Sequence, residues 1–430
     1  HGGLYAMEPE TVETRIGDVT RPDTLPAIRS LLTTLALAEL TPPPRGGDPD
    51  GAVFLARVDK LLDMGALDPA LALLELPDEP SAEVFRRHFD VALLTGQEDE
   101  ACAIMRESPQ IAPSFPARIF CLARGGDWPA AALSLRTGES LGFISPDMAA
   151  RLSRFLDPDL FEGEPDLPMP DPVTPLDLRL MEAIGQPLST ATLPVAFAQS
   201  DLRSNAGWKT RIEAAERLAR MGAIDANRLL GLYTEREPAA SGGVWDRVAA
   251  IQSLDEAIAS DDKDAVARAL PEAWARMAEI EAEVALATLY GAKLARLGLP
   301  GEAGALAFRI GLLSDSYEAA ARTRQPADGV EPFLIGLAKG KVDGIAPPDQ
   351  LGGAIRAAFA ADAMPEPEVQ ALLDDKRLGE AILGAIDDVT EGAKGDLRRV
   401  TSGLQLFRFV GLETVARRAA LELLLLERRG

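Results

Sequence analysis

Residues 122–135 read LARGGDWPAAALSL. An apolar helix end runs into Gly126, Asp127 and Pro129 follow, and Ala131 stands five residues after the glycine. Gly takes the left-handed conformation that closes a helix at little cost. An acid or a Pro suits the first turn of the next helix, where the dipole favours negative charge and no backbone donor is lost. A small Ala then lets two antiparallel helices approach. The segment therefore predicts a helical hairpin.

The pattern recurs along the chain. It reads LLDMGALDPALALL over 61–74, LLTGQEDEACAI over 93–104, LARMGAIDANRLLGL over 218–232, LARLGLPGEAGALAF over 294–308 and FRFVGLETVARRAALEL over 407–423. Ala lies five after the glycine at Ala70, Ala101, Ala131, Ala303 and Ala416, with Asn227 as the exception. Gly65 to Gly96 is 31 residues, Gly96 to Gly126 is 30, and Gly222 to Gly298 is 76, or two units of 38. At that midpoint Ser260 takes the glycine slot, with Ala265 five later; Lys376 and Ala381 repeat the relation. One such hairpin does not bury its apolar face alone, so units must stack.

The segments GDWPAAALSL and GALDPALALL resemble the helix-turn-helix core of tetratricopeptide repeats, in a degenerate form without the Trp-Leu-Gly-Tyr signature of the first helix. The likeness covers about two-thirds of the chain and implies a concave surface that binds a peptide or protein. A looser resemblance is to the helical superhelix of lytic transglycosylases, without their catalytic domain.

Composition agrees with an all-α solenoid of stacked antiparallel hairpins. Val and Ile together number 37 of 430 residues and aromatics are 5%, so strand-forming residues are scarce. Lys and Arg number 44 against 67 Asp and Glu, a net charge of −23. That balance repels nucleic acid and anionic lipid and admits a basic protein partner. The basic residues are 36 Arg and 8 Lys with only two Asn, the bias of a GC-rich genome rather than phosphate recognition. No apolar run reaches the length of a membrane span.

The stretch DPDLFEGEPDLPMPDPV (157–173) holds six acidic residues, five prolines and no basic residue. Prolines exclude a helix interior, so this is an extended connector. The expected division is an N-terminal extended, partly disordered segment (1–25), a helical array (26–155), the connector (156–175) and a second array (176–430). Leu160, Phe161, Leu167 and Met169 are the expected anchors by which the connector packs. Shorter loops are expected at 41–51 and 324–332.

Little in the chain points to catalysis. His88 is the one histidine beyond the terminal His1, and no Cys/His metal cage, GxSxG or P-loop occurs. No catalytic, metal or cofactor-binding residue is assigned. Asp261, Asp262 and Asp264 lack the Gly and distal Glu of a calcium loop and read as a turn with helix-starting acids. Glu139-Ser140 repeats a dipeptide of the transglycosylase active site, but the downstream Gly-Leu-Met-Gln element is missing. Glu139 is expected in a connection between hairpins. Cys102 and Cys121 flank one turn at similar distances, which suits either a disulfide or two separate buried thiols.

The candidate partner-binding stretch runs from Leu202 to Arg247. It carries Arg203 and Trp208, then Arg236, Ser241, Gly242, Gly243 and Trp245 in a Gly-rich connection. Trp and Arg are the usual anchors of interfaces; loops stapled onto the core are the competing reading. The expected function is a non-catalytic protein- or peptide-binding scaffold or accessory factor of a bacterial cell-envelope assembly, in the periplasm. The alternatives are a cytoplasmic adaptor of the same architecture and a cell-wall glycan-acting enzyme using an isolated carboxylate such as Glu139.

Overall fold

The computed structural model describes residues 24–38, 51–74 and 81–426. The expected disorder of 1–25 and the loop at 41–51 fall almost wholly outside these residues. Among the described residues there are 23 α-helices, three short 3-10 turns and no strand. Consecutive helices pack as pairs, the arrangement of an α-solenoid.

The described residues form two compact units, one within 61–214 and one that joins those before 61 with those from 215 onward. The acidic segment 157–173 lies inside the first. The described helices begin with α1 (Pro26–Leu37) and α2 (Ala52–Asp63). The unit 61–214 contains α3 (Leu67–Leu73), α4 (Ala82–Thr95), α5 (Glu98–Glu107), α6 (Phe115–Arg124), α7 (Trp128–Ser140), α8 (Pro146–Leu156), α9 (Pro175–Ala183), the short α10 (Ala198–Asp201) and the start of α11 (Trp208–Arg220). Hairpins α4–α5 and α6–α7 turn at Gly96 and Gly126, and α9 returns to pack on α4 and α8. Phe85, Phe89, Phe120, Leu152 and Leu180 form the centre of its core.

The other unit continues with α12 (Ala226–Tyr233), α13 (Val244–Ala259), α14 (Lys263–Ala278), α15 (Glu283–Leu297), α16 (Gly301–Leu312), α17 (Tyr317–Thr323) and α18 (Glu331–Ala338). It ends with α19 (Gln350–Ala358), α20 (Pro367–Asp374), α21 (Leu378–Gly392), α22 (Leu397–Phe409) and α23 (Glu413–Leu425). Here α1 packs against α21 and α23. Leu25 supplies no side-chain cap to α1. Instead the buried Glu422 carboxylate accepts the Ala27 amide at 2.9 and 3.1 Å, across 395 residues of sequence. An acid placed there satisfies an orphan donor and the helix dipole together. At the other end of α1, Arg57 donates to the carbonyls of Ala36 and Ala38 at 2.7 and 2.6 Å.

The hairpin glycines Gly65, Gly96, Gly126, Gly222, Gly298 and Gly411 all have φ between 65 and 87°. Behind five of them the next amide reaches back five residues, as in Gln97 to the Ala92 carbonyl at 2.8 Å and Leu412 to that of Phe407 at 2.7 Å. These bonds satisfy the carbonyls that a helix end leaves free. Lys376 takes the slot expected of it, with φ 63°, and Ala381 is buried five residues on. One register needs correction. Ser260 is right-handed, and the left-handed residue is Asp261 at φ 57°. The inward residue five later is accordingly the buried Val266, not Ala265. Gly65→Val and Gly298→Val are each expected to cost about 1–2 kcal/mol, because a β-branched residue is strained at positive φ. Unchanged melting of both variants would show that these glycines do not stop helices.

The connector is less extended than expected. Pro158–Phe161 forms a 3-10 turn. Arg154 lies 5.8 Å over the Phe161 ring and donates to Glu164 at 3.3 Å and to the Pro165 carbonyl at 2.8 Å. The Leu167 amide donates to Gln186 Oε1 at 2.9 Å. Phe161 and Leu167 are half-buried, so two of the four expected anchors pack. Leu160 and Met169 do not, being 69% and 58% exposed. The loop near 324–332 is present as residues 324–330, between α17 and α18.

Candidate partner-binding surface

The candidate residues between 202 and 247 divide between the two units. Arg203 and Trp208 belong to 61–214; Arg236, Ser241, Gly242, Gly243 and Trp245 belong to the other. Arg203 is held by its own unit. Its guanidinium donates to Glu182 at 2.9 and 3.0 Å and to the Ser200 carbonyl at 2.8 Å, and Asn205 donates to the same carboxylate at 2.9 Å. Arg179 bridges Glu182 to the buried Glu98, which also faces Arg124 at 3.7 Å. These charges tie the loop after α10 to α9, α5 and α6. Trp208 opens α11 and is half-buried.

In the other unit Arg236 is exposed beside Glu235 at 3.1 Å, and Ser241 is exposed. Gly242 donates its amide to Asp246 at 2.8 Å. Gly243 caps α13 at φ 58° and ψ −123°, a conformation that side chains exclude. The two glycines thus reverse the chain into α13, and Trp245 sits half-buried in its first turn.

Burial alone disfavours a charged Glu182, but the Arg203, Arg179 and Asn205 contacts outweigh it and hold the carboxyl below its ordinary value. A carboxylate lowered on folding adds stability that is present above its unfolded pKa, about 4.3, and is lost as pH falls through the folded value. Unit 61–214 is therefore expected to lose stability on acidification below that point. Glu182→Gln should flatten this acid limb, read as hydrogen exchange of its helices against pH. An unchanged acid limb would remove Glu182 from the account.

Cys102 on α5 and Cys121 on α6 form a disulfide, with Cα atoms 5.0 Å apart and both side chains buried in the core. Glu139 is corrected: it lies in the last exposed turn of α7 and not in a connection. His88 is half-buried on α4, where desolvation lowers its pKa. Asp262 caps α14 through the amides of Asp264 and Ala265 at 3.1 and 3.0 Å, which accounts for that acidic cluster. Among the described residues no three His, Cys, Asp or Glu side chains gather as metal ligands. No helix among them is long and apolar enough to cross a membrane.

A different surface was not recognised in the sequence. Of the eleven large apolar side chains exposed among the described residues, six lie between 128 and 169: Trp128, Leu133, Leu141, Phe143, Leu160 and Met169. Their exposure runs from 48 to 69%. On α7 the inward stripe is Ala131, Leu135 and Gly138, spaced i, i+4, i+7. Leu133 falls on the opposite side of that stripe, the one local signal that could have found the surface. At one end of α7 the Trp128 ring lies 6.3 Å from that of Phe155; beyond the other, Phe143 lies 5.5 Å from Phe115. Single exposed apolar residues are ordinary, whereas a contiguous patch of them is the mark of an interaction surface.

Comparison with protein-family models, with curated proteins and with solved structures finds no match for this chain.

Proposed function

We propose that the protein is a non-catalytic protein- or peptide-binding scaffold of a bacterial cell-envelope assembly, working in the periplasm. The observation that carries the reading is the concentration of exposed apolar side chains between 128 and 169, on α7 and in the turns that follow it. The resemblance of the hairpins to tetratricopeptide repeats and to the transglycosylase superhelix points the same way. The Cys102–Cys121 disulfide favours an oxidising compartment. Arg236, Ser241 and Trp245 offer a second contact region in the other unit.

The test is affinity capture with cross-linking from the native cell, using the full chain. A reproducible protein partner is expected. Clearing of purified peptidoglycan by the chain, abolished in Glu139→Gln, would replace the scaffold with a glycan-acting enzyme. Two free thiols in the protein taken from cells would replace the envelope with a cytoplasmic adaptor.

A further inference from the structure

We infer that the pocket between α15, α16 and the end of α17 seats one uncharged apolar side chain of a partner's peptide, with Arg324 donating to the peptide carbonyl beside it. This rests on the scaffold reading and adds the chemistry of the contact. The pocket lies wholly within the unit that holds these helices. Its volume is about 190 Å³, and the buried Leu294, Leu299, Ala307 and Phe308 line it. An apolar cavity of about 150 Å³ is enough for a benzene ring. This one therefore takes a single branched or aromatic side chain. Pockets for whole small molecules run to about 300–1,000 Å³, so the occupant is one anchor of something larger. The exposed Thr323 and Gln325 also line it, which leaves the mouth open for the chain that carries the anchor.

One donor is fixed in the wall. The Arg324 guanidinium lies 5.1 Å over the Phe308 ring. Its Nε and Nη2 donate to Glu331 at 2.8 and 2.6 Å, and Glu331 is only 1% exposed. Fork and ring together hold the guanidinium in one orientation. Its Nη1 is left over. That nitrogen lies 3.9 Å from the place a Cβ would take on Gly304, another lining residue, and it has no acceptor among the described residues. Charge selects the acceptor. Glu331 already neutralises Arg324, Asp328 lies within the same field, and the chain carries a net charge of −23. A second anion gains little there, and a cation is repelled by the guanidinium. A neutral carbonyl takes the hydrogen bond without either penalty.

The probe is the photoreactive diazirine analogue of N-acetyl-leucinamide, irradiated with the full chain and mapped by mass spectrometry. Label is expected on 294–308 and 320–325, the segments that line the pocket. N-acetyl-leucinamide should displace it at a concentration at least about tenfold lower than N-acetylglycinamide, from the burial of one side chain. N-acetyl-Ala-Leu-Ala-amide should compete as well as the single residue, and N-acetyl-leucine, a carboxylate, less well. Ala295→Leu fills the pocket from a half-buried position. Arg324→Lys keeps a charge beside Glu331 but loses the free arm. Each should cut labelling about fivefold or more with unchanged helix content. Ala295→Leu leaves the ion pair intact, so it reads the pocket even where Arg324→Lys fails to fold. Label elsewhere, equal competition by the glycine compound, or labelling indifferent to Ala295→Leu overturns the pocket. Tighter binding of the carboxylate makes it an anion site, and failure of the flanked leucine makes it a pocket for free small molecules; either overturns the peptide anchor. These titrations use no cellular partner, so their failure leaves the scaffold reading standing on capture from cells. If the native cell yields no partner, that reading fails and the peptide occupant with it.

Discussion

Glu216→Leu is expected to destabilise its unit by about 3–5 kcal/mol, the largest effect of any single substitution considered. The Glu216 carboxylate takes both arms of the Arg247 guanidinium at 2.8 and 2.6 Å and the Tyr233 hydroxyl at 2.9 Å. The two charged side chains are only 6% and 12% exposed. Burial, with the neighbouring carboxylate, holds the Tyr233 hydroxyl far above its usual pKa, so it stays a neutral donor. Removing the carboxylate leaves a buried cation and a donor unsatisfied, and that penalty exceeds the worth of the bonds themselves. Adding Arg247→Met and Tyr233→Phe to Glu216→Leu should therefore recover most of the loss. Hydrogen exchange of peptides from 226–259 reads both variants. Equal destabilisation by the single and triple variants would mean that packing, not charge, is what Glu216 provides.

Replacing Cys102 and Cys121 together with Ala is expected to cost unit 61–214 about 3 kcal/mol, from the loop-closure entropy that the cross-link removes from the unfolded chain. The bridge closes a loop of sequence separation 19 and joins α5 to α6, the exit of one hairpin to the entry of the next. Both sulfurs sit among Ala101, Phe120 and Leu152, so Ala also leaves a small void. The loss should appear as faster exchange across 98–124, reproduced in the parent chain by a reductant. Identical exchange with and without reductant would show that the bridge does not support the fold.

What was legible in the sequence was local. A helix stop followed by an acid or Pro and a small residue is written in consecutive residues, so Gly96, Gly126 and Gly411 mark real turns. The slip from Ser260 to Asp261 arose because no glycine marks the turn. Asp is among the residues that visit the left-handed region, and three acids within four residues gave no further guide. The disulfide was half legible: the turn between the cysteines brings them opposite, but only the helical phases decide whether they face. Long-range polar pairs carry no periodic trace. Nothing near Glu422 announces that it caps α1, and nothing near Arg203 announces Glu182, because each meets its partner only through packing. Met169 was expected to anchor the connector and stands exposed instead, since composition does not distinguish an inward apolar side chain from an outward one.

The central claim is that this chain works by holding another protein. The most direct measurement is cross-linking capture from the native cell with three full-length chains: the parent, Glu139→Gln, and Leu133→Asp combined with Phe143→Ser. The account predicts the same protein recovered in equal yield by the parent and Glu139→Gln, and lost from the double variant while its helix content is unchanged. Recovery of no protein by the parent, or loss of recovery in a folded Glu139→Gln, would contradict it.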